Sequence, residues 1–178
     1  NCDSEVLLRA FEHWGVKCLP KLNGMFSFGF YCQGTGETTF ARDRYGQKPL
    51  YFHDSDNSIV FASEIKGILP MCGETVGNKE VIIDFLKGTI NNSKEETFFK
   101  GIRSVRPGFH VKLGIDGTIL QNERWWYPDF STVKIRDREA VAELTELFEN
   151  AVRIHADCDV KYGACLSGGL DSSLIVGS

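Results

Sequence analysis

Phe26, Phe28 and Phe30 are separated by Ser27 and Gly29, so the stretch GMFSFGFYC presents an aromatic ring to the same side at every second residue. A helix would scatter those rings around its axis, whereas a strand puts them all on one face. Turn residues follow in QGTGE. TTFARD, PLYFH and IVFAS then read as three more short strands, with DSDNS between the last two. The expectation for this region is an antiparallel meander.

Helical periodicity flanks it. Asp3 or Ser4 can cap a short helix running to Trp14, with Val6, Leu7, Ala10, Phe11 and Trp14 on one face and Gly15 as its stop. From Glu64 the pattern turns helical again, and NKEVIIDFLKG predicts a second amphipathic helix closed by Gly88. GFHVKLGIDGTILQ reads as a last hairpin turning at Asp116-Gly117. Residues 1–121 are therefore expected to form one α+β domain, with helices packed on an antiparallel sheet. The aromatic, proline-containing ERWWYPDFS opens a linker over residues 122–137, with Trp125 and Trp126 expected to pack a domain interface.

Past the linker the pattern changes. DREAVAELTELFENAVRIHA predicts a long amphipathic helix, with Val141, Leu144, Leu147, Phe148, Ala151 and Val152 on one side. DVKYGACL is an apolar run suited to a buried parallel strand, and a glycine-rich turn leads into another helix. Helix, strand, loop and helix in that order predict the opening of an α/β domain over residues 138–178.

Composition narrows the function. The formal net charge of -4 leaves no electrostatic footprint for nucleic acid. No apolar stretch approaches the roughly 18 residues of a membrane span. The six cysteines, Cys2, Cys18, Cys32, Cys72, Cys158 and Cys165, fall at irregular spacings without a C-x-x-C pair, which argues against zinc and against a disulfide framework. A reducing cytosol is the expected compartment. The sequon Asn91-Asn92-Ser93 reads as a chance match. With no initiator Met and no signal segment at Asn1, the chain reads as an internal window of a longer protein.

The ending GACLSGGLDSSLIVGS carries the chemistry. Ser167, Gly168, Gly169, Asp171 and Ser172 form S-G-G-x-D-S, whose chance occurrence in a chain of this length is roughly 10⁻⁴. A plain strand-to-helix turn would need the glycines but neither Asp171 nor Ser172. No G-K-[ST] follows, so this is not a Walker loop. Such a segment suits a β,γ-pyrophosphate held by backbone N–H groups and by the hydroxyls of Ser167 and Ser172, with Asp171 binding a Mg²⁺ that shields the phosphates. Cleavage of ATP would then fall at the α-phosphate, giving an adenylylated substrate and pyrophosphate.

S-G-G-x-D-S resembles the PP-loop of the ATP pyrophosphatases. GMFSFGFYC, FARDRYGQKPLYF, IVFASEIKGIL and EETFFKGIRSVRPGFHVKL are, in this order, similar to blocks of the glutamine-dependent asparagine synthetase family. The resemblance covers essentially the whole chain. It implies a class II glutaminase domain of N-terminal-nucleophile type, an αββα sandwich incomplete at its N-terminus, joined to an adenylating domain. The implied reaction is asparagine synthesis from aspartate, with ammonia from glutamine displacing AMP from β-aspartyl-AMP.

By the same resemblance Asp3 receives the α-ammonium group of glutamine; Cys165 and Leu166, at the carboxyl end of the expected strand, offer backbone groups to adenine beside the pyrophosphate loop of Ser167, Gly168, Gly169, Asp171 and Ser172. The nucleophile Cys, an Arg clamp and an N-G-E segment are expected upstream. Cys2 is not the first residue, so it lacks the free α-amine that would serve it as a base. The implied partners are glutamine, aspartate and ATP, in a cytoplasmic enzyme that is a homodimer at full length. Two alternatives stand beside this. One is a related amidotransferase acting on another carboxylate, of the β-lactam synthetase or cell-envelope amide ligase kind; the other is a non-catalytic truncated product. Arg42, Asp43, Gly46, Lys48 and Pro49 are expected to form a structural ion-pair cluster, and the four histidines to serve packing or surface roles.

Overall fold

The computed structural model describes residues 2–55, 58–88 and 94–178, and the sequon at 91–93 lies outside them. The chain divides into two compact units, Asn1–Pro128 and Asp129–Ser178.

The first unit begins with helix α1, Asp3–Trp14, whose first turn carries Asp3 and Glu5 against the positive end of the helix dipole. Cys2 is the N-cap and makes no side-chain capping bond. The expected cap by Asp3 or Ser4 is therefore not formed, because these residues lie inside the helix, one and two positions past the N-cap. Gly15 stops the helix at φ 56, and a 3₁₀ turn, Gly15–Lys21, follows.

Strands β1 (Ser27–Cys32), β2 (Glu37–Arg42), β3 (Tyr51–Ser55) and β4 (Ser58–Ala62) form the expected hairpins, β1 against β2 and β3 against β4. They do not form one meander. The first pair belongs to a four-stranded sheet ordered β1-β2-β6-β7, the second to a three-stranded sheet ordered β4-β3-β5. Helices α2 (Ile65–Ile68) and α3 (Lys79–Leu86) separate these hairpins from β5 (Ile102–Ser104), β6 (Phe109–Leu113) and β7 (Ile119–Arg124). Strand β5 has three residues, too few to show a period in the sequence. Gly117 takes φ 81 in the turn between β6 and β7, a conformation that favours glycine.

The larger sheet is covered on both faces. Toward the smaller sheet, Phe40, Val111 and Leu113 pack with Phe52, Leu50 and Val105, and the rings of Phe40 and Phe52 stack at 5.6 Å. On the opposite face, Phe26, Phe28 and Phe30 meet Phe11 of α1 and Cys18 and Leu19 of the 3₁₀ turn. Phe11 lies 4.4 Å from Phe30 and edge-on to Phe28 at 5.8 Å. The alternation of F-S-F-G-F thus has a second purpose. A Cβ at Gly29 would fall 2.9 Å from a ring carbon of Phe40, so the small residues of β1 leave room for the facing aromatic layer.

Strand β7 continues to Arg124, past Gln121, because its pairing runs until Phe109 faces Arg124. Trp125 then folds back onto the first unit. Its ring stacks on Phe26 at 6.0 Å and its indole N–H donates to the Arg42 carbonyl at 3.2 Å.

His110, on β6, is only 3% exposed. Ala41 is beside it on β2 and Glu123 on β7. Burial pushes its pKa below the usual 6.5, outweighing the charge of Glu123 and the Gln121 side chain, which favour the cation. A depressed folded-state pKa means that the unfolded chain binds this proton more readily. Stability is therefore expected to be complete above about pH 6.5 and to fall progressively below it. His110→Leu should flatten that part of the pH profile, as measured by urea unfolding between pH 5 and 8.

The second unit contains helix α4, Asp137–Ala156, and helix α5, Leu170–Gly177. Its predicted strand is not present. Residues 157–169 contain no strand, since a strand exists only through hydrogen bonds to a neighbour and no described segment of this unit pairs with them. The apolar stripe Val141, Leu144 and Leu147 of α4 is exposed.

Candidate nucleotide loop and substrate end

The S-G-G-x-D-S residues form a tight turn ahead of α5. Gly168 takes φ 80, a backbone conformation that side chains strain, and Gly169 is the extended N-cap of the helix. The hydroxyls of Ser167 and Ser172 are 3.0 Å apart. Ser172 Oγ also accepts the Ser167 amide at 3.3 Å and donates to the Gly169 carbonyl at 3.1 Å, while Ser167 Oγ accepts the Gly169 amide at 3.4 Å.

Asp171 sits in the first turn of α5, is exposed and enters none of these bonds. The structure thus brings Ser167, Gly168, Gly169, Asp171 and Ser172 into one turn with two hydroxyls side by side. Cys165 and Leu166 precede it as exposed chain, not as the end of a paired strand. The sequence reading passed over Ser173, whose hydroxyl donates to the Gly169 carbonyl at 2.8 Å. Its spacing of four residues from Gly169 on a helix was the signal that could have identified it.

Asp3, by contrast, lies in the first unit on the first turn of α1, exposed.

The turn after β2 is structural, but not as an ion-pair cluster. Asp43 is 1% exposed, and its carboxylate accepts three backbone N–H groups, from Tyr45 at 3.1 Å, Gln47 at 3.0 Å and Lys48 at 3.0 Å. The Arg42 guanidinium donates to the carbonyls of Lys48, Gly46 and Val105 at 2.8, 2.7 and 2.8 Å, and to the Ser104 hydroxyl at 3.2 Å. Each charge is thus satisfied by the backbone rather than by the other, because in a tight turn the nearest unpaired groups are amides and carbonyls.

All six cysteines are free thiols. Among the described residues, no helix is long and apolar enough to cross a membrane.

A domain of two antiparallel sheets followed by an S-G-G-x-D-S turn defines the class of protein to compare with known families. Residues 1–126 match the glutamine amidotransferase domain family and residues 143–178 the asparagine synthase family. The chain belongs to the glutamine amidotransferase family, in the branch whose glutaminase domain is followed by an asparagine synthase segment.

Asparagine synthetase [glutamine-hydrolyzing] 3 of Bacillus subtilis is 34% identical over 177 residues, which is 97% of this chain and 28% of the relative. A putative asparagine synthetase [glutamine-hydrolyzing] 2 of Methanocaldococcus jannaschii is 31% identical over 180 residues, 98% of this chain and 34% of the relative. Amidase chry2 of Gibberella zeae is 32% identical over 180 residues, 99% of this chain and 26% of the relative. The chain spans about a quarter to a third of the length of these relatives.

Proposed function

We propose that this chain is part of an enzyme that makes asparagine from aspartate, using ATP and the amide nitrogen of glutamine, through a β-aspartyl-AMP intermediate. The observation that carries this reading is the S-G-G-x-D-S turn at the start of α5, in the same chain as a glutamine amidotransferase domain and inside the asparagine synthase match. The names of the bacterial and archaeal relatives support it.

In this reading residues 1–121 are the glutaminase domain, 122–137 a linker and 138–178 the start of the ATP-binding domain. Helix α1 on one face of the large sheet and the small sheet on the other are the layers that support an αββα sandwich of N-terminal-nucleophile type, and α2 contacts β3 and β4 of the small sheet. The cytoplasm is the compartment proposed, and the homodimer a proposal for the full-length enzyme.

The donor set around the turn fits a Mg²⁺ that arrives with the nucleotide. It comprises one exposed carboxylate, Asp171, beside two hydroxyls, and magnesium is commonly held by one or two carboxylates together with substrate phosphates. Bound there, the ion would neutralise charge on the pyrophosphate leaving group. The protein's own part is to present the amides of Gly168 and Gly169 and the hydroxyls of Ser167 and Ser172 to that anion at a helix N-terminus. Cys165 and Leu166 would offer backbone groups to adenine. Asp3 would hold the glutamine α-ammonium by a charge-assisted hydrogen bond.

The fungal amidase relative favours a second reading, in which the acceptor is a carboxylate other than aspartate. Incubating the protein that carries this chain with glutamine, ATP and aspartate separates the two. Equimolar asparagine, AMP and pyrophosphate are expected. Glutamate formation without asparagine would favour the second reading. Asp3→Asn is expected to raise the KM for glutamine about 10- to 100-fold, the worth of one hydrogen bond to a charged group, and to leave the KM for ATP unchanged. If Asp3 served only the helix dipole, the glutamine KM would stay within about twofold.

A further inference from the structure

The Gly169 carbonyl is the most heavily used acceptor in the nucleotide turn. It receives the Ser173 amide at 3.1 Å, the Ser173 hydroxyl at 2.8 Å and the Ser172 hydroxyl at 3.1 Å. Without a ligand the hydroxyls of Ser167 and Ser172 are engaged within the turn. Because Ser172 gives its proton to Gly169, the proton between the two facing hydroxyls belongs to Ser167.

A hydroxyl has one proton to give. If Ser172 is to donate to a phosphate oxygen, it must release the Gly169 carbonyl, which with only the Ser173 amide left to it would be freer to turn toward the anion the loop is to accept. Ser173 is placed to prevent that. It is one residue further into α5, and its proton already points back to the carbonyl four residues earlier.

We infer that Ser173 is a positioning residue of the nucleotide turn: its hydroxyl keeps the Gly169 carbonyl bonded and turned into the helix while Ser172 is given over to the phosphates. The inference rests on the pyrophosphate reading of this loop. It has a distinctive consequence, since removing the Ser173 hydroxyl matters only once a ligand has claimed Ser172. In the ligand-free protein Gly169 still has the Ser172 hydroxyl and the Ser173 amide.

The test compares wild type, Ser173→Ala and Ser173→Thr in the protein that carries this chain, measuring the KM for Mg-ATP in pyrophosphate release and the ligand-free Tm. Ser173→Ala is expected to raise that KM about three- to tenfold, the usual worth of one hydrogen bond, without moving the ligand-free Tm. Ser173→Thr, which keeps the hydroxyl, should restore the KM. An unchanged KM in an active Ser173→Ala protein overturns the inference alone, as does a failure of Thr to restore it. A lowered ligand-free Tm in Ser173→Ala assigns the hydroxyl a structural role and overturns it too. A wild type that releases no pyrophosphate from ATP overturns the nucleotide reading and this inference with it.

Discussion

Asp171→Asn is expected to cut ATP-dependent pyrophosphate release and amide synthesis together, by about 10² to 10³, while glutamate continues to form from glutamine. Asn preserves the size of the side chain but removes its charge. Since Asp171 is exposed and takes no part in the hydrogen bonds that hold the turn, the loop itself should keep its shape. What is lost is the carboxylate proposed to hold a divalent cation against the phosphates, and removal of a single such electrostatic contact typically has an effect of that size. On the proposed reading, glutamine hydrolysis belongs to the other domain. Following glutamate, pyrophosphate and asparagine from one preparation checks the expectation, and undiminished pyrophosphate release would reduce Asp171 to a turn residue.

Asp43→Ala is expected to be the most destabilising of the substitutions considered, by about 3 to 4 kcal/mol, because it leaves three backbone N–H groups without an acceptor at a buried site. The main chain of Asp43 is committed as well, its amide to Phe26 at 2.9 Å and its carbonyl to Gly108 at 2.8 Å. The turn therefore ties β1, the approach to β6 and the crossing from one sheet to the other into a single knot. Asp43→Asn keeps one carbonyl oxygen but turns a donor toward at least one of those amides, so about 1 to 2 kcal/mol is expected. Urea midpoints of the three proteins check the order. An Asn variant as unstable as Ala would mean that the charge, not the acceptor count, holds the turn.

The expected ion-pair cluster at this turn shows why its chemistry could not be taken from the sequence. Arg42 and Asp43 are adjacent and opposite in charge, so pairing them is the obvious reading. Arg42 ends β2 and Asp43 opens the turn after it, however, and each finds backbone groups of its own. Ser104 and Val105, which Arg42 reaches, are about sixty residues away in the chain.

By itself the sequence determined the elements that local interactions specify. The helix from Asp3 to Trp14 and its stop at Gly15, the two hairpins, the long helix from Asp137 to Ala156 and the glycine-containing turn before α5 were all legible, because periodicity and glycine act within a few residues. Membership of the family was legible for a different reason, since several motif blocks in a fixed order are specific where one alone is not. The tertiary structure decided which strands share a sheet, why β1 must alternate rings with small residues, how far β7 runs and whether residues 157–169 form a strand at all. In each of these the deciding partner is remote in sequence: a strand is made by the neighbour that takes its hydrogen bonds, and a small residue by the ring that faces it.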